Sequence, residues 1–80
     1  MNLSLLKRGA RAIIDSVESS HATDAIAQRL RELGFVRGEA VSVVALGPLG
    51  ADTLAVQVGF TRFALRRSEA ARVRVSPQAA

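Results

Sequence analysis

Two periods of hydrophobic and polar residues run through this chain, and the change from one to the other falls at Gly34. Before it, Ala22, Ile26, Leu30 and Leu33 recur at spacings of 4, 4 and 3, which places them on one helical face. Thr23 is the preferred N-cap of this helix over Ser20, since its hydroxyl can accept from the free N–H groups of the first turn. Asp24 in that first turn suits the positive end of the helix dipole. Gly34 stands where a left-handed residue ends a helix, so Phe35 is expected to pack back on Leu30. After Gly38 the period becomes two. Val41, Val43 and Ala45 alternate with Ser42, Val44 and Leu46 over Glu39 to Leu46, with apolar residues on both faces. Thr53 to Gly59 is the clearest strand, with Leu54, Val56 and Val58 on one face and Thr53, Ala55 and Gln57 on the other.

The remaining elements are shorter. Leu3 and Leu6 suggest a turn that Ser4 could cap. Ala10 to Val17 reads as the first strand, with Ala10, Ala12 and Ile14 alternating and Ile13 on the other face. Gly47-Pro-Leu-Gly50 is a strong turn signal. Gly59 to Arg62 reads as a hairpin connection, and Phe63 and Leu65 mark a fourth strand. Ser68 to Ala71 is a single helical turn capped by Ser68. Val73 and Val75 form a last strand, and residues 76–80 read as a frayed tail. The order is strand, helix, three strands, turn, strand. Five short strands with tight connections favour a mainly β fold, a small barrel of about five strands with its main helix between strands 1 and 2. Closure of such a barrel removes exposed edges. The domain is expected to occupy residues 1–75.

Composition narrows the chemistry. Three Phe and no Trp or Tyr mean that Val, Leu, Ile and Ala fill the core. The absence of cysteine excludes disulfides, thiolate metal sites and thiol catalysis. No apolar run approaches the roughly 18 residues that span a bilayer. The first charges follow the apolar residues near the N-terminus, opposite to a secretory signal, so the expected location is cytoplasmic, with no direct membrane insertion. Ten Arg, one Lys and a net charge of +4 permit contact with nucleic acid, acidic protein surfaces or anionic lipid. A nucleic-acid role is not expected, because aromatic platforms for base stacking are almost lacking and there is no helix-turn-helix pattern.

His21 is the single histidine. With Glu18 and Asp24 close by, it is the candidate for a divalent metal, since imidazole and carboxylate are reasonable ligands for first-row ions. The plain alternative is an exposed His in a polar loop. Candidates for partner contact are Arg29, Arg31 and Glu32 on the open face of the helix, with Arg66 and Arg67 from the arginine-rich last third; here the plain alternative is a solvated face. Gly47-Pro-Leu-Gly50 lacks the Lys-Ser/Thr of a phosphate-cradling loop, and no Ser-His-acid constellation is present. No enzymatic activity is expected.

The succession Leu3, Leu6, Gly9, Ile14, Arg29-Leu30, Leu33-Gly34-Phe35, Gly38, Val41, Pro48-Leu49-Gly50, Ala64-Leu65-Arg66, Glu69-Ala70 and Val75 resembles the ferrous iron transport protein A (FeoA) family from Leu3 to Val75. It departs from the family pattern at Arg8 and Arg37, where proline is frequent, and at Gly50-Ala51-Asp52. The resemblance implies a Src-homology-3-like barrel and a cytosolic accessory role in ferrous iron uptake. It implies as partner the cytosolic G-protein domain of a FeoB-type membrane transporter, which the chain would bind and regulate. No cofactor is required; a weakly held Fe2+ or Zn2+ is the single metal expectation. A related barrel forms the C-terminal domain of metal-dependent transcriptional repressors, which gives one alternative role; a metal-binding module is the other.

Overall fold

The helix that sets this fold is only eight residues long, and both its ends are tied off by named groups. A computed structural model of the chain describes residues 1–47 and 52–78. Helix α1 is Ala25–Glu32, and its N-cap is Asp24, not Thr23. Asp24 Oδ1 accepts from the N–H groups of Ile26 and Ala27 at 3.1 and 3.2 Å. At the other end Gly34 has φ +109. The Phe35 N–H donates to Leu30 O at 3.0 Å and the Gly34 N–H to Arg31 O at 3.2 Å. This is the paired hydrogen-bond pattern of a glycine-terminated helix. The expected stop at Gly34 holds, and Phe35 is fully buried behind it.

Five antiparallel strands follow from the alternating segments: β1 Arg11–Val17, β2 Ala40–Leu46, β3 Thr53–Val58, β4 Thr61–Arg66 and β5 Val73–Pro77. Their order across the sheet is β4-β3-β2-β1-β5. Between β4 and β5 lies a four-residue helix, α2, Arg67–Ala70, and a 3-10 turn, Leu3–Leu5, begins the chain. Asn2, and not Ser4, caps that turn, accepting from the Ser4 N–H at 3.0 Å. Ser68 lies inside α2; its first turn is held by Glu69 Oε1, which accepts from the Arg66 N–H at 2.8 Å. The turn signal at Gly47 to Gly50 falls, after Gly47, outside the described residues.

The expected barrel is not closed. Closure needs β4 to pair with β5, and no such pairing occurs among the described residues. Two features stand in the way. Helix α2 lies between the two strands in the chain. The outer edge of β5 is also taken by the N-terminus, through an Asn2–Arg74 bridge and a Val75 N–H donating to Met1 O at 2.9 Å. The boundary expected at residue 75 falls inside β5. Ser76 and Pro77 pair with Ile13 and Ala12, and the Gln78 N–H donates to Arg11 O at 2.9 Å, so this stretch is no frayed tail.

The core runs along one face of the sheet. Ala12, Ile14, Val41, Val43, Leu54, Val56, Val58, Leu65, Val73 and Val75 are all buried, joined by Leu3, Leu6, Ala27, Leu30 and Phe35. Two irregularities interrupt strict alternation. A register shift between Ile14 and Ser16 lets Val17 return to the core three residues after Ile14. Another between Val43 and Ala45 sets Leu46, not Ala45, opposite buried Leu54. No helix among the described residues is long and apolar enough to cross a membrane.

A Cβ built on Gly34 meets nothing within 4 Å, so strain at positive φ is the whole penalty for a side chain there. Gly34→Ala is expected to lower stability by about 1–2 kcal/mol in urea unfolding. An unchanged midpoint would show that the helix end does not need the glycine.

Candidate functional site

Helix α1 and the open edge of β4 enclose a groove of about 460 Å³. Ile26, Arg29, Leu30 and Leu33 form one wall, and Phe63 to Arg66, with Glu69, form the other. Its lining mixes apolar side chains with the charged groups of Arg29, Arg66 and Glu69. Phe63 is half-buried, with its ring centroid 5.3 Å from that of core Phe35. Ile26 and Leu33 remain 37% and 39% exposed. Both belong to the apolar stripe read from the spacing, and the structure places them on the groove. Ala27 and Leu30 are the helix residues that are buried, and Ala22 is exposed outside the helix.

The five residues expected to meet a partner are divided. Arg29 and Arg66 stand on opposite walls of the groove, and Glu69 lies with them. Arg31 turns away, its Nη2 donating to Val17 O at 2.6 Å and to Ser19 Oγ at 3.3 Å. Arg67 donates from Nη1 to Ser4 O at 2.9 Å and holds the N-terminal turn against α2. Glu32 is exposed at the last position of α1. The arginines of the last third are differently engaged: Arg72 pairs with Asp24 and Arg74 with Glu18, whereas Arg66 lines the groove.

The metal candidates are likewise separated by their partners. Asp24 is only 5% exposed. Beyond its two helix-capping bonds, Oδ2 accepts from Arg72 Nε at 2.6 Å and from the Ser20 N–H at 2.8 Å. The Arg72 guanidinium, and after it the Ser20 N–H, hold this carboxyl well below the ordinary carboxylate range, against a smaller opposing effect of burial. Glu18 Oε1 lies 3.2 Å from Arg74 Nε on the surface. His21 is exposed in the loop between them. Among the described residues no group of three or more His, Cys, Asp or Glu is placed to hold a metal ion.

The sequence profile of the FeoA domain matches residues 1–77. Curated protein sequences yield no match. Among solved structures, the chain is similar to Stenotrophomonas maltophilia FeoA complexed with zinc, described as a prokaryotic SH3 domain protein. The two are 62% identical with a TM-score of 0.88, over 95% of this chain and 89% of that one. It is also similar to the FeoA protein of Chlorobium tepidum, at 39% identity and a TM-score of 0.82, over 99% of this chain and 71% of that one. A manganese-dependent transcriptional repressor in complex with manganese shares 15% identity at a TM-score of 0.81, over 98% of this chain and 36% of that one. The last likeness is one of fold alone.

Acid should reveal what Asp24 holds. Its folded pKa is depressed, so its stabilising effect is complete above the unfolded value near 4 and is lost as pH falls through the folded one. The parent chain is expected to exceed Asp24→Asn in urea midpoint at neutral pH, with the gap narrowing below about pH 4. A gap that stays constant into strong acid would mean that the charge is not what stabilises this corner.

Proposed function

The chain belongs to the FeoA domain family, a family of ferrous iron transport, and on that premise we propose that it is a non-catalytic accessory of iron uptake. Its partner is the cytosolic G-protein domain of a FeoB-type transporter, and its contact surface is the groove between α1 and β4. The observation that carries the surface is the pairing of partly exposed apolar side chains with two arginines: Ile26, Leu33 and Phe63 beside Arg29 and Arg66. Interfaces commonly combine buried apolar anchors with charged rims of this kind. The strand forming one wall also has no neighbour on its outer edge among the described residues, which leaves main-chain groups for an extended segment of a partner. The proposed mechanism is one of binding, with regulation following from any preference for one nucleotide state of the partner.

Weak divalent-cation binding at His21 is a second role, supported by the zinc complex of the Stenotrophomonas relative. Asp24 is engaged by Arg72 and the helix cap, and Glu18 by Arg74. A cation at His21 would then draw its other ligands from solvent or a second molecule. His21→Ala is expected to abolish the heat of zinc titration, and an unchanged isotherm would place the ion elsewhere.

The main proposal is tested by titrating the chain into the isolated G domain, loaded with GDP or with a GTP analogue, at low and high salt. Ile26→Asp and Arg66→Glu are each expected to weaken binding about tenfold, with the Arg66 effect diminishing at high salt. Both positions are solvent-accessible, so the variants are expected to fold, which circular dichroism checks. Binding that ignores both substitutions would remove the groove from the interface, and no binding in either nucleotide state would remove the partner.

A further inference from the structure

The turn joining β3 to β4 holds a phenyl ring out in water. Val58 and Thr61 are paired, which leaves Gly59 and Phe60 as a two-residue loop. Gly59 has φ +60, the left-handed first position that such a turn demands. The residue that follows is thereby fixed at the apex, and it is Phe60, 103% exposed. Of the three phenylalanines, Phe35 and Phe63 pack together within the protein, whereas Phe60 touches nothing that would shield it. Polar residues are the usual occupants of tight turns. An aromatic ring fixed at this apex is suited to an apolar phase outside the molecule.

Behind the tip, the outer face of the sheet carries a polar row. Arg62, Gln57, Ser42 and Arg11 stand opposite one another across β4, β3, β2 and β1. Arg62 Nε donates to Gln57 Oε1 at 3.1 Å, which orients the guanidinium along the row. Its two ends, Arg62 and Arg11, are three strand spacings apart, roughly 14 Å. Arg8 joins them on the wall of a shallow concavity of about 520 Å³. Among the described residues no acidic side chain lines that concavity or the neighbouring one formed by Arg11, Ser42, Gln57 and Gln78. Acids stand at the borders: Glu39, which the register sets level with the Gly59–Phe60 turn, and Asp15, whose Oδ2 accepts from Ser76 Oγ at 2.8 Å. The row itself is thus basic and ends beside an exposed aromatic tip.

We propose that this face binds the surface of an anionic lipid bilayer, with Phe60 at the boundary of headgroups and acyl chains and Arg8, Arg11 and Arg62 on lipid phosphates. Aromatic rings and basic side chains are the residues that favour that boundary. The spacing of the arginines suits a plane of many phosphates better than one soluble anion, which could reach only one end of the row. The contact is peripheral and no segment crosses the bilayer. It uses the N-terminal end of β4, whereas the groove is lined by Phe63 to Arg66 toward the other end, and it does not depend on the groove's partner.

The chain has no tryptophan, so Phe60→Trp supplies a single fluorescent reporter at the tip. Its emission is expected to shift to the blue with vesicles of phosphatidylglycerol and phosphatidylcholine in equal parts. No shift is expected with phosphatidylcholine alone or with soluble glycerol phosphate. In co-sedimentation with the anionic vesicles, Phe60→Ser is expected to weaken binding about tenfold, and Arg11→Gln and Arg62→Gln about fivefold each. Arg31→Gln, on helix α1, which packs against the other face of the sheet, is expected to leave binding unchanged. Absence of the shift would overturn the proposal. So would an equal loss in Arg31→Gln and Arg62→Gln, which would mean diffuse attraction by net charge. A shift produced by the transporter's soluble G domain and not by vesicles would assign the tip to a protein and likewise overturn it.

Discussion

One carboxylate holds the corner on which the groove depends. Asp24 accepts from the first turn of α1, from the Ser20 N–H in the loop before it, and from Arg72, which is 48 residues further along the chain. A helix of eight residues is too short to persist on its own in water, so its ends and its buried side determine whether it exists. The cap fixes its start, Gly34 fixes its end, and Arg72 ties both to the segment that leads into β5. Because Ile26, Arg29 and Leu33 project from this helix, the groove's apolar wall and one of its charges are placed by a residue that never faces the groove. Arg72 also donates from Nη1 to Ser68 O, which extends the tie into α2.

The sheet supplies the opposite wall and, on its other face, a surface of different character. One face of β4 brings Phe63 and Leu65 toward the core and the groove. The alternate positions carry Arg62 and Arg66 outward, and these two arginines end on separate surfaces because they lie at opposite ends of the strand. The strand thus serves a cleft of mixed apolar and charged side chains near its C-terminal end and a basic face near its N-terminal end. Closure into a barrel would have covered its free edge. The N-terminal residues prevent this by occupying the matching edge of β5.

Much of this was legible in the chain, and the failures share a cause. The stop at Gly34, the packing of Phe35 and the inward face of β3 followed from interactions within a few residues of each other, where spacing and glycine chemistry decide. The helix cap was misplaced by one residue. Thr23 and Asp24 can both accept from the first turn, and the group that favours Asp24 is Arg72, distant in sequence. The same holds for Ala45, whose face is changed by an irregularity in pairing with β3, and for barrel closure, which depends on what the N-terminus covers. Of the proposed contact residues, Arg29 and Arg66 come together, whereas Arg31 and Arg67 are drawn off by backbone carbonyls that no local pattern identifies. The exposed ring at Phe60 could have been noticed from a Gly-Phe pair in a tight turn, but its meaning depends on Arg8 and Arg11, which lie far from it in the chain.

The strand order has a consequence for how the molecule is made. β1 sits between β2 and β5, and β5 comes after every other element in the chain. While the chain is being synthesised, β2, β3 and β4 can pair with their predecessors as each emerges. One side of β1 must wait for the last strand, as must Asp24 for Arg72. Pairing across so long a separation is the slow step expected of such topologies. The nascent chain therefore completes its fold only after Val73 to Pro77 has left the ribosome, and until then the flank of β1 is open to any other extended strand nearby.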